Sequence, residues 1–484
     1  MTNQVKEEPR TVRFGRRQSR GMILGFSTPR VVAVGVGIGV LILSMVGAGV
    51  GGAFMLSPLW LGVSSTAFIR WGKRPLAEMV PVGVHFGSRV VSRQDRYLAR
   101  VSRPRPAGTM GLPGDACSLR FLADSSGAVM VHDPHAQTLT SIVRVNHPAF
   151  VLLGPNEQGQ RVAAWSRVLA QVGQSRSICR LQMLESALPD GGRGIQDWWQ
   201  AERSASAPSW AAEQYGQLMG SATEATAAHR SLVAIALDMK ANARRIREAG
   251  RGVIGAAALL RQEMRAMEEA LNRASLRPDG WLADHELATL IRTSYDPVST
   301  TRLDYWDVGR NLSEAGPVGI HESWDHLRHD SGFSTVLWIS EWPRIDMPAW
   351  FLHSIVFEPD VRRTLSIVAS PMSTERAMQE IRRQKVEYLS DARQKEKIGQ
   401  LADLADSQEY QDLLDRERAL VSGHTDVRFS GFLTVTATTK EQLDAAVAAV
   451  ERAALQAVCE TRVLFGQQSQ AFAAAALPLA RAVH

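Results

Sequence analysis

Between Arg30 and Arg70 the chain carries no charged side chain for 39 consecutive positions, Val31 to Ile69. A soluble core has little use for such a run, whereas a bilayer calls for one, since about 20 apolar residues at 1.5 Å rise cross its hydrocarbon. The length predicts two short transmembrane helices joined by a tight turn, and Gly47, Gly49, Gly51 and Gly52 stand where that turn would fall. Arg10, Arg13, Arg16, Arg17, Arg20 and Arg30 precede the run, and Arg70, Lys73 and Arg74 follow it. The positive-inside rule then puts both termini in the cytoplasm and makes the chain a multi-pass protein of the cytoplasmic membrane. Trp71 has the place of an interfacial anchor. A cleaved signal peptide fits poorly, because the region before the run is 30 residues long and the run itself far exceeds an apolar signal core.

Charge supports a membrane surface. The net charge is +6, yet residues 1–105 hold 16 Lys/Arg against 4 Asp/Glu, or +12, which leaves −6 for the remaining residues. A DNA-binding domain would carry its basic excess on the folded part, so direct sequence-specific nucleic-acid binding is not expected. A basic front suits membrane lipids. Arg89, Arg93, Arg96 and Arg100 recur at spacings of 4, 3 and 4, which predicts one stripe on a helix over 75–100, either a solvated face or one lying along anionic headgroups. Arg103-Pro-Arg-Pro106-Ala-Gly108 reads as a linker. Three cysteines without a C-x-x-C pair exclude a disulfide framework and a zinc ribbon.

The remainder reads as an α+β body. Strands are expected at 118–122, 128–132, 139–145 and 149–153, then a helix opening at Gly154-Pro155 and running to Val172, then a strand at 178–183. A similar strand, helix and strand return at 431–436, 439–456 and 461–464, with Thr438 and Glu441 at capping-box spacing. Between them lie a polar helix at 209–219, a strand at 232–237, an amphipathic helix at 253–276 and a charged helical stretch over 376–422, relieved at Gly399 and stopped at Gly423. That stretch is either a partner-binding hairpin or a layer over a sheet. The expected division is a basic tail (1–30), a transmembrane hairpin (31–69), a juxtamembrane helix and linker (70–106), a first α+β lobe (107–204), a helical middle region (205–345) and a second α+β lobe with long helices (346–484).

Catalytic signatures are scarce. The only Gly-Lys pair, Gly72-Lys73, lacks the glycine and hydroxyl residue of a phosphate-holding loop, so no nucleotide hydrolysis is expected. Gly47-x-Gly49-x-x-Gly52 matches a dinucleotide fingerprint, but no acid follows about 20 positions on. His321-Glu322-Ser-Trp-Asp325-His326-Leu-Arg-His329-Asp330 is the densest set of potential ligands, with histidine spacings of 5 and 3 rather than the i, i+4 that aims two imidazoles at one metal. His132-Asp-Pro-His135 reads as a turn. No catalytic residue, cofactor or metal is assigned.

Two resemblances join here. The opening, through Gly72-Lys-Arg74-Pro75-Leu76-Ala-Glu78-Met-Val-Pro81, resembles the PrgI-type small membrane proteins of Gram-positive conjugation systems. Residues 107–481 resemble the amino-terminal domain of TraC/TrbE-type conjugative-transfer ATPases. That likeness rests on Arg416-Glu417-Arg-Ala-Leu420-Val-Ser-Gly423, Phe432-Leu-Thr-Val-Thr-Ala437, Leu443, Gly466-Gln467-Gln468, Ala471-Phe472 and Leu477-Pro478-Leu479. The chain stops at His484, so the motor domain is expected to be missing. The combination resembles an actinobacterial family of type IV secretion-like membrane proteins. The resemblance implies a non-catalytic inner-membrane scaffold for DNA transfer, docking a separate P-loop ATPase and other secretion-apparatus proteins as a homo-oligomer. A membrane-tethered enzyme using His321 to Asp330 and a lipid-surface regulator are the alternatives.

Overall fold

A computed structural model describes residues 11–12, 27–71, 74–100, 108–147, 150–189, 199, 208–223, 227–301, 311–397 and 404–481. Arg10, Arg13, Arg16, Arg17, Arg20, Gly72, Lys73, Gly399 and the linker arginines Arg103 and Arg105 lie outside the described residues.

The uncharged run forms helix α1 (Thr28–Met55) and the nine-residue α2 (Ser57–Ser65). Leu43, Val46, Phe54 and Met55 are all more than 75% exposed, so α1 is apolar on its outside, as no helix of a water-soluble body is. Among the described helices, α1 alone is long and apolar enough to cross a bilayer. Of the two spans expected from the sequence, one is therefore matched by a helix of spanning length among the described residues. The helical path breaks at Ala48 and at Gly49, where φ is +63°, and breaks again at Leu56, leaving α2 only about 14 Å long. α2 lies against α1, since a Cβ added to Gly37 would meet the Ser64 hydroxyl and the Trp60 carbonyl.

The body is mixed α+β around one 13-stranded sheet. Its strands are β1 (Arg96–Leu98), β2 (Arg120–Ala123), β3 (Val129–Asp133), β4 (Thr138–Asn146), β5 (Ile178–Pro189), β6 (Ala227–Asp238), β7 (Arg277–Trp281), β8 (Gly319–Glu322), β9 (Leu327–His329), β10 (Gly332–Glu341), β11 (Arg362–Pro371), β12 (Val427–Ala437) and β13 (Glu460–Val463). The order is β1-β8-β9-β10-β12-β11-β5-β6-β4-β3-β2, with β7 beside β4 and β13 beside β10. All pairings are antiparallel.

This order contains one pattern twice. β4, α4 (Pro155–Gln174), β5, β6, α6 (Gly252–Arg273) and β7 make a split β-α-β unit with β7-β4-β6-β5 side by side, and α5 (Ser209–Thr223) is inserted between β5 and β6. β10, α8 (His353–Val356), β11, β12, α11 (Lys440–Gln456) and β13 repeat it as β13-β10-β12-β11, with α9 (Thr374–Lys397) and α10 (Leu404–Val421) inserted between β11 and β12. A hairpin precedes each unit (β2–β3 and β8–β9), and a helix follows each: α7 (Asp284–Tyr295) and α12 (Gln468–Ala475). The units join where β5 pairs antiparallel with β11, Ala187 opposite Arg363 through Leu181 opposite Ala369.

Strand alternation assigns the layers. In β6, Val233, Ile235 and Leu237 pack under α4 and α6, while Leu232, Ala234 and Ala236 face the opposite side. Leu337, Ile339, Leu433 and Val435 meet α8 and α11 in the second unit. The opposite side of both units shares one core with α7, α12 and the tail to Ala480. The separate lobes expected from the sequence are thus halves of one sheet, and the expected helical middle region contributes strands β6 to β10. The strand expected at 232–237 lies within β6, whereas β7 to β9 escape notice because they are three to five residues long, with Pro278 and Gly280 inside β7. Residues 150–152 form a 3₁₀ turn rather than a strand. The cap of α11 is Thr439, whose hydroxyl accepts the Gln442 N–H, rather than Thr438.

Candidate functional site at the membrane-proximal joint

The chain leaves the apolar run through Arg70 and enters α3 (Leu76–Val91) after Pro75, whose φ of −63° and ψ of 142° start the helix. The Leu76 N–H donates to the Ile69 carbonyl, and the Ala77 N–H donates to that of Thr66 (both 2.9 Å), binding the helix start to the end of the run. Glu78 in the first turn accepts the Ser27 hydroxyl at 2.6 Å and stands 3.8 Å from the Arg30 guanidinium. The two ends of the run therefore meet.

At its far end α3 is tied to the body. Arg89 donates to both carboxylate oxygens of Glu322 on β8, at 2.9 and 3.1 Å, and to the Gly466 carbonyl at 2.6 Å. Glu322 is 2% exposed, so this is a buried bidentate pair with a third hydrogen bond. Phe86 meets Trp324 edge-on at 5.3 Å, and Trp324 stacks on Phe465. Gly466 closes the joint at φ +66°, where a Cβ would lie 2.7 Å from the Trp324 ring.

The expected arginine stripe is corrected here. The helix ends at Val91, Arg93 adopts φ +56°, and Arg96 sits in β1, so Arg89, Arg93, Arg96 and Arg100 do not share a helical face. Arg89 is consumed by Glu322 rather than free for lipid. The other three are exposed, with Arg96 3.5 Å from Asp95.

The His321 to Asp330 cluster disperses in space. His321 stands 3.5 Å from Asp95, Glu322 holds Arg89, and Asp325 holds His326 and Lys440. Asp330 pairs with Arg292 and accepts the backbone N–H groups of Val318 and Gly319. His329 is buried, and burial pushes its pKa down to about 4. Its Nδ1 lies 2.6 Å from the Tyr295 carbonyl, so Nδ1 carries the proton, and Nε2 accepts from Ser334. Among the described residues no three His, Cys, Asp or Glu side chains are grouped to hold a metal ion. Gly47 to Gly52 lie in α1, without the strand that a dinucleotide fold places before its glycines. His132 and Asp133 end β3, and the turn at 134–137 follows, with Asp133 accepting the His135 and Ala136 N–H groups.

The sequence reading missed Glu78, Phe86, Glu322, Trp324 and Gly466 as one assembly. Glu78, Glu322, Trp324 and Gly466 stand in three separate sequence motifs that nothing in their spacing joins, and Phe86 stands in none. Gln468, fully buried, accepts the Val336 N–H at 2.8 Å and so fixes the segment around it to β10. The α9–α10 arm has its own small core of Ala377, Ile381, Leu413 and Leu420, with Tyr388 stacked on Tyr410 at 4.6 Å. No protein-family model matches the chain, and no curated protein matches it either.

Proposed function

We propose that the chain is a non-catalytic scaffold of a type IV secretion-like conjugative transfer apparatus, held in the cytoplasmic membrane and docking a separate P-loop transfer ATPase. The observation that carries this reading is the joint: α3, tied at its start to the apolar run and bound through Arg89, Glu322, Trp324 and Gly466 to a broad duplicated sheet, is built to bear load between membrane and body. A motor needs a fixed partner of that kind. The resemblance of the sequence to PrgI-type membrane segments and to the transfer-ATPase amino-terminal domain supplies the machine.

Two further observations favour it. The potential ligands of the His321 to Asp330 cluster are spent on separate structural pairs, which weighs against the membrane-tethered enzyme. The α9–α10 arm leaves Val386 67% and Leu389 49% exposed among charged neighbours, a surface suited to a partner. In the same reading the run from Val31 to Ile69 enters and leaves the bilayer on the cytoplasmic side, and copies of the body surround the motor as a homo-oligomer.

The test is affinity purification from membranes through a tag after His484, followed by mass spectrometry at low and high salt. A P-loop ATPase should co-purify at low salt and weaken at high salt, because the arm is highly charged. Deleting residues 374–421 should abolish that capture while leaving the protein in the membrane. Absence of any such ATPase, together with intact conjugation and secretion after gene deletion, would overturn the scaffold.

A further inference from the structure

α3 carries two opposed sets of side chains. Phe86 and Arg89 face the body, held by Trp324 and Glu322. On the other side, Val80, Val84 and Val91 recur at spacings of 4 and 7, which puts them on one stripe. They are 52%, 67% and 86% exposed. Gly87 continues the stripe, with nothing within 4 Å of an added Cβ. Pro81, His85 and Ser88 are exposed beside this stripe, but the stripe itself holds only valine and glycine, the inverse of what solvent selects.

The place of this face in the chain identifies its occupant. α3 starts at the level where the apolar run begins and ends, because Ile69 and Thr66 accept its first N–H groups and Glu78 meets Ser27. The valine stripe therefore begins beside the point where the apolar run ends. Beyond it come Arg93, Arg96 and Arg100, all exposed cations. An apolar face at the membrane boundary with arginines just past it matches a helix lying in the interface of an anionic bilayer.

We propose that Val80, Val84 and Val91 are sunk into the headgroup–acyl boundary, with lipid as their partner, and that the Arg89–Glu322 joint thereby fixes the tilt of the body against the membrane. The inference rests on the membrane placement of the run and adds a second, lateral contact to it.

The test uses the full chain with the exposed Cys117 replaced by serine, reconstituted in phosphatidylethanolamine–phosphatidylglycerol vesicles. A nitroxide is attached through Val84→Cys, Leu43→Cys or Ser92→Cys in turn, with label taken up by the Cys117→Ser parent subtracted. Collision with oxygen is compared with collision with a water-soluble nickel chelate. The ratio at Val84 should be severalfold above that at Ser92 and approach that at Leu43. A Val84 ratio no higher than that of Ser92, with Leu43 still in lipid, overturns the interfacial helix and leaves the membrane placement standing. Leu43 in water overturns both. Protection of Val84 from both reagents would mean that protein covers the face, which also overturns the proposal.

Discussion

His329 shows how a residue conspicuous in the sequence is used up by the fold. The Tyr295 carbonyl can only accept, so Nδ1 donates; Ser334 must then donate to Nε2, and Thr436 must donate to Ser334. Protonating the ring would turn Nε2 into a donor against a hydroxyl already engaged, in a site 1% exposed. Burial is the main cause of the lowered pKa, about 4 against 6.5 for a free histidine. The sign follows by linkage. Above 6.5 neither state holds the extra proton; between 6.5 and about 4 the unfolded chain takes it up and the folded chain does not, so stability falls as pH falls. The slope from this one group approaches about 1.4 kcal/mol per pH unit. His329→Gln should therefore unfold with a shallower pH dependence than the parent between pH 6.5 and 4.5, measured as thermal midpoints in detergent. Equal slopes in the two proteins would exclude this assignment. The neighbouring ligands looked like a cluster because they are close in sequence, but the β8–β9 hairpin alternates them between faces, burying Glu322 and His329 while leaving His321 and Arg328 outside.

At the level of elements, the joint between α3 and the body depends on one buried ion pair. Removing one partner strands the other charge in a site 2% exposed, a loss of about 3–5 kcal/mol. Replacing both by apolar residues of similar size removes that penalty. Arg89→Ala and Glu322→Ala should thus each lower the unfolding midpoint strongly, whereas the double variant Arg89→Met/Glu322→Leu should recover most of the loss; additive losses in a double-mutant cycle would show that the pair is not coupled. Helices such as α4 were legible because their signals are local: Pro155 at the first turn and Ala164, Val168 and Val172 every fourth residue. The end of α3 was not legible. Arg93 takes φ +56° with no glycine to announce it, and what stops the helix is the pairing of Arg96–Leu98 with Gly319–His321, more than 220 residues away. The same holds for β7 to β9, which are strands only because β4 offers an edge to β7, β10 to β9, and β9 in turn to β8.

Over the whole molecule, the duplication was half visible, as a strand, helix and strand recurring near residues 155 and 440, because α4 and α11 occupy different positions in their two units while α8, the true counterpart of α4, has only four residues. The seam was invisible, since Gln182, fully buried, meets Ser366, Ala474, Leu477 and Ala480 only after both units have formed. Long-range pairing also bears on how the chain meets the membrane. Thr11 and Val12, before the apolar run, pair with Met347 and Pro348, after it, and Ser27 pairs with Glu78 across the run. Flanks that pair twice fit the proposed reading, in which the run leaves the bilayer on the side where it entered, and so do the arginines at Arg30 and Arg70. The break at Ala48 and Gly49 lies about 20 residues and 30 Å into α1, the depth of the hydrocarbon. In a background lacking the native thiols, single cysteines at Ser27 and Ser88 should therefore resist an impermeant thiol reagent in intact cells, whereas one at Gly49 should react. Val40→Arg should impair membrane insertion, because a charge at mid-bilayer costs about 2.5–3.5 kcal/mol. Labelling at Ser88 from outside would place the body across the membrane from Ser27, and the pairing of Ser27 with Glu78 could not then survive in the cell.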